Sequence, residues 1–319
     1  MYDIREVYIA GKSGKIKAYR SGIRAYVDGN VHDIPINSID VLIKVGRISM
    51  SEDAIRRIVR RATIISLKYY GTIYAYHIPK TSAPSAARVH VKARHKARLS
   101  IARLIEYDLL EMMERHAEHH DYSLDLSDIR DKISRARSVD EIEGYESEAR
   151  SRYHEFYKRI VPEFSGRGKS DRRPPRDKIN CLISVANHAL YSLALSQIIA
   201  RGLIPSLGFV HVHTNMALAL DLGDVFKPIG YEFVYLHKDE FEPEEIIIGK
   251  VSGYYLGREE LRKFYRMRKA FLRERSRRAK GVSFIRFIKG YTRIFASSLA
   301  EVYRSEAPDR LRRRKGPRK

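Results

Sequence analysis

The side chains best suited to chemistry gather in Leu207–Pro228, LGFVHVHTNMALALDLGDVFKP. A short apolar run ends at His211, and a polar turn passes through His213, Thr214 and Asn215. A second apolar run then delivers Asp221 and Asp224. With Leu218–Phe226 helical, the two aspartates lie three residues apart and share a face, which the turn folds back toward His211. One imidazole and two carboxylates converging in this way suit Mg²⁺ or Mn²⁺; oxygen ligands fit both ions, and the histidine favours Mn²⁺. The plain alternative is a helix entry with solvated acids. Against it, an arginine-rich chain has little reason to hold two acids in an apolar run without a positive charge between them.

A third ligand would have to come from elsewhere. Val139–Ile160, VDEIEGYESEARSRYHEFYKRI, reads as helical from about Glu143, with Glu146, Ala149 or Arg150, and Tyr153 recurring on one face. Glu141, Glu143 and Glu148 fall on other faces. An acidic, arginine-paired surface helix and a helix offering one inward acid both fit that spacing. His116, His119 and His120 close a long amphipathic stretch, Arg88–Ala117. His116 and His120 are four apart, but no carboxylate or cysteine pattern completes them, so a surface cluster is expected.

Composition sets the partners. Lys and Arg number 61 against 39 Asp and Glu, a net charge of +22 over 319 residues. Such an excess points to a polyanion, nucleic acid in the first place. The single Cys181 excludes a disulfide framework and any multi-cysteine zinc site; it reads as a small buried hydrophobe in a reducing cytoplasm. No run approaches the roughly 18 apolar residues of a membrane span, and MYDIREVYIAG lacks a signal-peptide pattern, so no membrane role is expected.

The elements that position these groups follow from the patterning. Glu6–Ile9, Lys15–Tyr19, Ile23–Val27, Val31–Pro35 and Asp40–Lys44 read as short strands. Asp28-Gly29 marks a hairpin, and Ser51 caps a small helix through Ala62. Thr63–Lys68 and Thr72–His77 add two more strands. The expected fold is therefore α+β: an N-terminal β-sheet or sandwich domain (1–79, structural or dimerising), a linker (80–85), a larger all-α catalytic domain (86–305) and a basic disordered tail (306–319). In that second domain Leu124–Ser138 is helix-like. Asn180–Ala200 is its apolar spine, with His188 and Tyr191 expected as core residues with satisfied polar tips. Pro162–Ile179 is a basic loop whose Arg167, Lys169, Arg172, Arg173 and Arg176 could clasp phosphates. Arg258–Arg293 adds a basic face interleaved with aromatics, a second phosphate track. No extra DNA-binding domain is expected after residue 300.

Several segments together resemble the CRISPR adaptation integrases, the metal-dependent CRISPR-associated endonucleases that insert new spacers into CRISPR arrays. Gly144-Tyr145-Glu146, with Ala149 and Tyr153 three and seven beyond the acid, is similar to the helix bearing their catalytic glutamate. Asp177-Lys178-Ile179-Asn180 resembles their Asp-x-x-Asn entry to a central apolar helix. Gly208-Phe209-Val210-His211 and Leu220–Pro228 resemble their Gly-x-x-His and Asp-Leu-x-acid-x-Phe-basic-Pro segments. The order and size of the domains match as well, so the resemblance covers nearly the whole chain.

The resemblance implies Glu146, His211 and Asp224 as ligands of Mg²⁺ or Mn²⁺, with Asp221 beside them and Tyr191 and Lys227 near the site. Two departures stand out: the family's Glu-Gly dipeptide is Glu146-Ser147 here, an actual Glu-Gly lying at Glu143-Gly144, and the family's frequent second glutamate is Asp224. The implied reaction is transesterification, in which a 3′-OH of incoming DNA attacks the repeat backbone and another 3′-OH leaves. Bond energies nearly balance, which fits the lack of a nucleotide-binding Gly-x-x-x-x-Gly-Lys loop. Run in reverse, or with water, the same step cuts branched DNA. The implied partners are double-stranded and branched DNA, a second copy of the chain in a homodimer, and a small ferredoxin-like adaptation protein. Two rival expectations are a stand-alone nuclease for branched DNA and a non-catalytic nucleic-acid-binding protein.

Overall fold

The central strands are buried on consecutive residues, Val41–Ile43 and Thr63–Leu67 without a break, so one sheet is packed on both faces. The computed structural model describes residues 5–68, 73–78, 84–166, 175–248, 251–274 and 283–305. Strands β1 (Glu6–Tyr19), β2 (Gly22–Val27), β3 (Asn30–Pro35), β4 (Val41–Met50), β5 (Thr63–Leu67) and β6 (Ile73–His77) form a mixed sheet in the order β3-β2-β1-β4-β5-β6. The β1–β4 and β4–β5 pairs are parallel, the others antiparallel. A parallel step needs a crossover; helix α1 (Glu52–Val59) supplies the one from β4 to β5, its first turn capped by the Ser51 hydroxyl, which accepts from the Ala54 N–H at 3.3 Å. Leu42 and Ile64 pack on the α1 side, while Val41, Ile43 and Val45 face the helical part of the chain.

The Asp28-Gly29 hairpin turn forms as expected, with φ of +50° and +83° matching a primed turn. Two expectations need correction. Glu6–Ile9 and Lys15–Tyr19 are not separate strands: β1 runs through the glycine-rich stretch, and the turn signal there becomes a register shift between Gly11 and Ser13. The strand expected over Asp40–Lys44 continues to Met50, because pairing with β1 extends that far.

The helices follow: α2 (Pro84–His119), α3 (Ser127–Arg135), α4 (Val139–Ile160), α5 (Lys178–Ala200), α6 (Ala217–Asp224) and α7 (Lys227–His237), then α8 (Arg258–Arg273) and α9 (Phe284–Ser305). Helix α4 begins at Val139, a turn before Glu143, because the Ser138 hydroxyl accepts from the Glu141 N–H at 3.2 Å. A hairpin, β7 (Glu244–Ile248) with β8 (Val251–Tyr255), interrupts the region expected to be all helix. By length and composition α5 could cross a membrane, contrary to the expectation that no segment could, but it is buried almost throughout inside the protein as the spine of the helical part. The inner sheet face and the helices share one continuous core.

Helix α8 returns to the first strand. Arg268, 2% exposed, pairs with fully buried Glu6 at 3.1 Å; Arg262 donates to the Ala10 carbonyl at 2.8 Å and Lys269 to that of Glu6 at 2.8 Å. Arg258 pairs with Asp28 at 2.5 Å. Four residues of the basic face expected to track phosphates, Arg258, Arg262, Arg268 and Lys269, are thus engaged with the sheet. The 275–282 part of that stretch, the tail from 306 and most of the linker lie outside the described residues.

Candidate active site

Helices α4, α5, α6 and the start of α7 meet the 207–216 loop around a cleft of about 410 Å³. Its lining includes Arg150, Tyr191, His211, Asp224 and Lys227.

The loop is shaped by Asp221. Its Oδ2 accepts from the N–H groups of Phe209 (2.5 Å) and Val210 (3.2 Å); its Oδ1 accepts from the His211 N–H (2.9 Å) and meets His211 Nδ1 at 2.8 Å. Gly208 is required for that wrap, since a Cβ there would lie 2.3 Å from the His211 carbonyl oxygen and 2.8 Å from Asp221 Oδ2. With Nδ1 held, Nε2 is the ring nitrogen left for a ligand. Burial pulls the His211 pKa down, but the bond to Asp221 and the charges of Asp224, Asp221 and Glu146 carry it above its ordinary 6.5. Asp221 was expected beside the metal as a member of the converging set. It is 1% exposed and committed to four donors, so it positions His211 and does not border the cleft.

Asp224, 4% exposed, is the acid that faces the cleft. Tyr191 donates its hydroxyl to Oδ1 at 2.6 Å, and Lys227 Nζ stands 2.8 Å from Oδ2, which Arg150 also engages. Burial would raise the Asp224 pKa, but Lys227 and Arg150 hold it well below the usual carboxylate range. Tyr191 reaches Asp224 because Gly223 makes room: a Cβ at 223 would sit 2.4 Å from Tyr191 Cδ1. Tyr191 is therefore part of the site rather than an ordinary core residue. Lys227, expected near the site, is buried in an ion pair with Asp224, and burial together with Arg150 pushes its pKa down to about 8.

Of the α4 acids, Glu146 is the inward one. It is 6% exposed, whereas Glu143 lies on the solvent face and Glu148 pairs with Lys132 and Arg152. Arg150, one turn further along α4, bridges Glu146 and Asp224, and with Lys227 it offsets the charge of the two buried carboxylates. Asp177 and Asn180 form a helix cap: the Asn180 N–H donates to Asp177 Oδ1 at 2.7 Å, and its amide ties down Gly166. Arg176 is exposed beside it; Arg167, Lys169, Arg172 and Arg173 lie outside the described residues.

Two groups were missed in the sequence. Glu106 on α2 is 2% exposed, and burial, followed by the charge of Glu146, raises its pKa well above 4.5. The signal was there, an acid on the face of the apolar positions Ile101, Ile105, Leu109 and Leu110, although Arg103 and Asp108 stand in the same stretch. Of the three histidines expected at the surface, His119 is exposed there, whereas His116 and His120 are closed off against Glu232 of α7.

The family model for CRISPR associated protein Cas1 matches residues 7–269. The chain belongs to the Cas1 family. Among its Cas1 relatives is the CRISPR-associated endonuclease Cas1 2 of Moorella thermoacetica, 25% identical over 233 residues, a match spanning 70% of this chain and 72% of that protein. A solved CAS1 protein from Thermotoga maritima superposes with a TM-score of 0.81 at 23% identity, covering 92% of this chain and 97% of the other. A casposase bound to integration product superposes with a TM-score of 0.80 at 20% identity, covering 93% and 91%. At those identities the structural likeness is one of fold.

Proposed function

We propose that this Cas1-family chain is a divalent-metal-dependent DNA integrase and endonuclease that inserts new spacers into a CRISPR array by 3′-OH transesterification. The reading rests on one observation: Glu146 and Asp224, nearly inaccessible acids from different helices, are held together by Arg150 beside a cleft that also receives His211. Two buried carboxylates this close need a positive charge or a shared proton between them, and Arg150, with Lys227 on Asp224, supplies the charge here. The same two acids and the imidazole make a donor set suited to Mg²⁺ or Mn²⁺, with Arg150 standing in that gap. When bound, the metal would neutralise charge on a phosphodiester and lower the pKa of an attacking hydroxyl.

The chain's own side chains do the remaining work. Asp221 holds His211 with Nε2 available, and Tyr191 fixes the rotamer of Asp224. Lys227, protonated at neutral pH, stands beside Asp224 where it can meet a phosphate oxygen or give a proton to a leaving 3′-oxygen. With water as nucleophile the same arrangement cuts branched DNA. The net charge of +22 calls for DNA, gripped by Arg176 and by the sequence-assigned Arg167, Lys169, Arg172 and Arg173.

The same reading includes a homodimer through the sheet and a small ferredoxin-like partner. Edge strand β3, with Val31 55% exposed, offers unpaired backbone groups for such pairing. Sedimentation of the full chain should give a dimer at micromolar concentration, and a monomer there removes that part. The decisive test of the chemistry is His211→Ala on a branched substrate with Mn²⁺. Strand transfer should be lost while fold and DNA binding persist; an unchanged rate overturns the assignment.

A further inference from the structure

Away from the cleft, α2 and α7 bring together a second set of ligating side chains. His116 and His120 lie one turn apart on α2, and Glu232 faces them from α7. Glu232 Oε2 stands 2.9 Å from His116 Nε2 and 2.8 Å from His120 Nε2. The three side chains are only 5%, 9% and 3% exposed, and their ligand atoms all lie within 4.8 Å of one another. His116 Nδ1 meets the Tyr153 hydroxyl at 2.6 Å.

We infer that His116, His120 and Glu232 bind a metal ion of the zinc class, separate from the catalytic cleft, that clamps α2 to α7. Two imidazole nitrogens with one carboxylate is a zinc donor set, more nitrogen-rich than the acid pair of the cleft. Histidines four apart on a helix present their rings to one side, and the third ligand arrives from a neighbouring helix, so the ion ties two elements at once. Tyr153 supplies the outer partner that such a histidine needs. With metal bound, Nε2 would give its lone pair to the ion and Nδ1–H would donate to the Tyr153 oxygen, a role the 2.6 Å contact already suits.

A cavity of about 520 Å³, bordered by His116, His119, Glu232, Phe284 and Phe287, opens beside the group and gives water access to a fourth position. The clamp bears on the cleft by two routes. Tyr153 lines the cleft and bonds His116, and Pro228, one residue beyond Lys227, borders both cavities. An ion here would stiffen the helix that starts with Lys227.

The test uses full-length protein stripped with chelator and titrated with Zn²⁺, and separately with Co²⁺ as a spectroscopic stand-in. Wild type should take up one equivalent of Zn²⁺ that persists in His211→Ala, show the intense visible bands of tetrahedral Co²⁺, and melt about 5 °C or more higher with saturating Zn²⁺. His120→Asn and Glu232→Gln should each lose the bands and the shift. Should either variant fold poorly, the Co²⁺ spectra of wild type and His211→Ala decide alone. Zinc uptake that disappears in His211→Ala, only weak octahedral Co²⁺ bands, or uptake kept by folded Glu232→Gln would each overturn the inference. Because binding is read in a variant lacking the cleft histidine, the result stands whether or not the integrase reading does.

Discussion

Replacing Asp221 by asparagine asks whether a carboxylate, rather than merely a side chain of that shape, holds His211. Oδ2 takes two backbone N–H groups, and Oδ1 takes a third together with the imidazole Nδ1. An amide keeps one accepting oxygen and turns the other into a donor, so either orientation leaves two of the four donors facing an NH₂ group. The side chain is 0% exposed, which leaves no solvent to compensate. Each stranded buried donor costs about 1–3 kcal/mol, about 2–6 kcal/mol for the pair. For a chain of this size that is a melting shift of roughly 3–9 °C.

If the amide keeps Phe209 and Val210, the ring loses its anchor, the Nδ1–H tautomer loses its support, and Nε2 is no longer reserved for a ligand. Losing one bond to a charged acceptor, about 1.5–3 kcal/mol, corresponds to about a 10- to 150-fold slower reaction. Calorimetry and single-turnover strand transfer with Mn²⁺ measure the two effects separately. A variant with wild-type melting, or one destabilised but fully active, would show that Asp221 does not position His211.

Three further perturbations test the surroundings. Gly223→Ala places a Cβ against the Tyr191 ring and should cost about 1–3 kcal/mol. It should also slow transfer to the level of Tyr191→Phe, and the double variant should be little worse than either single one; additive losses in a double-mutant cycle would refute the shared cause. Glu106, protonated through burial and the charge of Glu146, contributes fully below about pH 4.5 and loses ground as pH rises toward its raised pKa. Glu106→Gln, which cannot ionise, should therefore match wild type at acid pH and exceed it in denaturant titrations at pH 8; equal pH slopes would show that Glu106 is not held neutral. Replacing Arg172 and Arg173 together should weaken binding across many DNA sequences and flatten the salt dependence by about one to two units, with unchanged binding removing the loop from the interface.

Local rules carried the reading a long way, and the exceptions share a cause. The resemblance pointed to Glu146 rather than Glu143, because only Glu146 keeps the Ala149 and Tyr153 spacings, and Glu146 is the buried one on α4. His211 and Asp224 were visible because polar groups at the ends of apolar runs have few ordinary explanations. The three backbone N–H groups that Asp221 accepts were not legible, because helical spacing says nothing of a loop folding over the acid. Arg150 looked like a surface partner of its own helix; the acid that gives it a role lies 74 residues away. His116 and His120 lacked a carboxylate only locally, since Glu232 is more than a hundred positions further on. The long first strand was hidden by glycine, which marks turns and irregular strands alike.

The buried pair of Glu6 and Arg268 links positions 262 apart in the sequence. At a synthesis rate of about 5–20 residues per second, that distance corresponds to about 13–50 s on the ribosome. Throughout that interval the first strand holds an acid destined for full burial whose counter-charge has not yet been made, a state that is strongly unfavourable in a closed core. The sheet cannot settle against its final neighbours while it emerges. This chain therefore does not mature from front to back: its opening strand is among the last parts to become native, and it waits for the helix that returns to it.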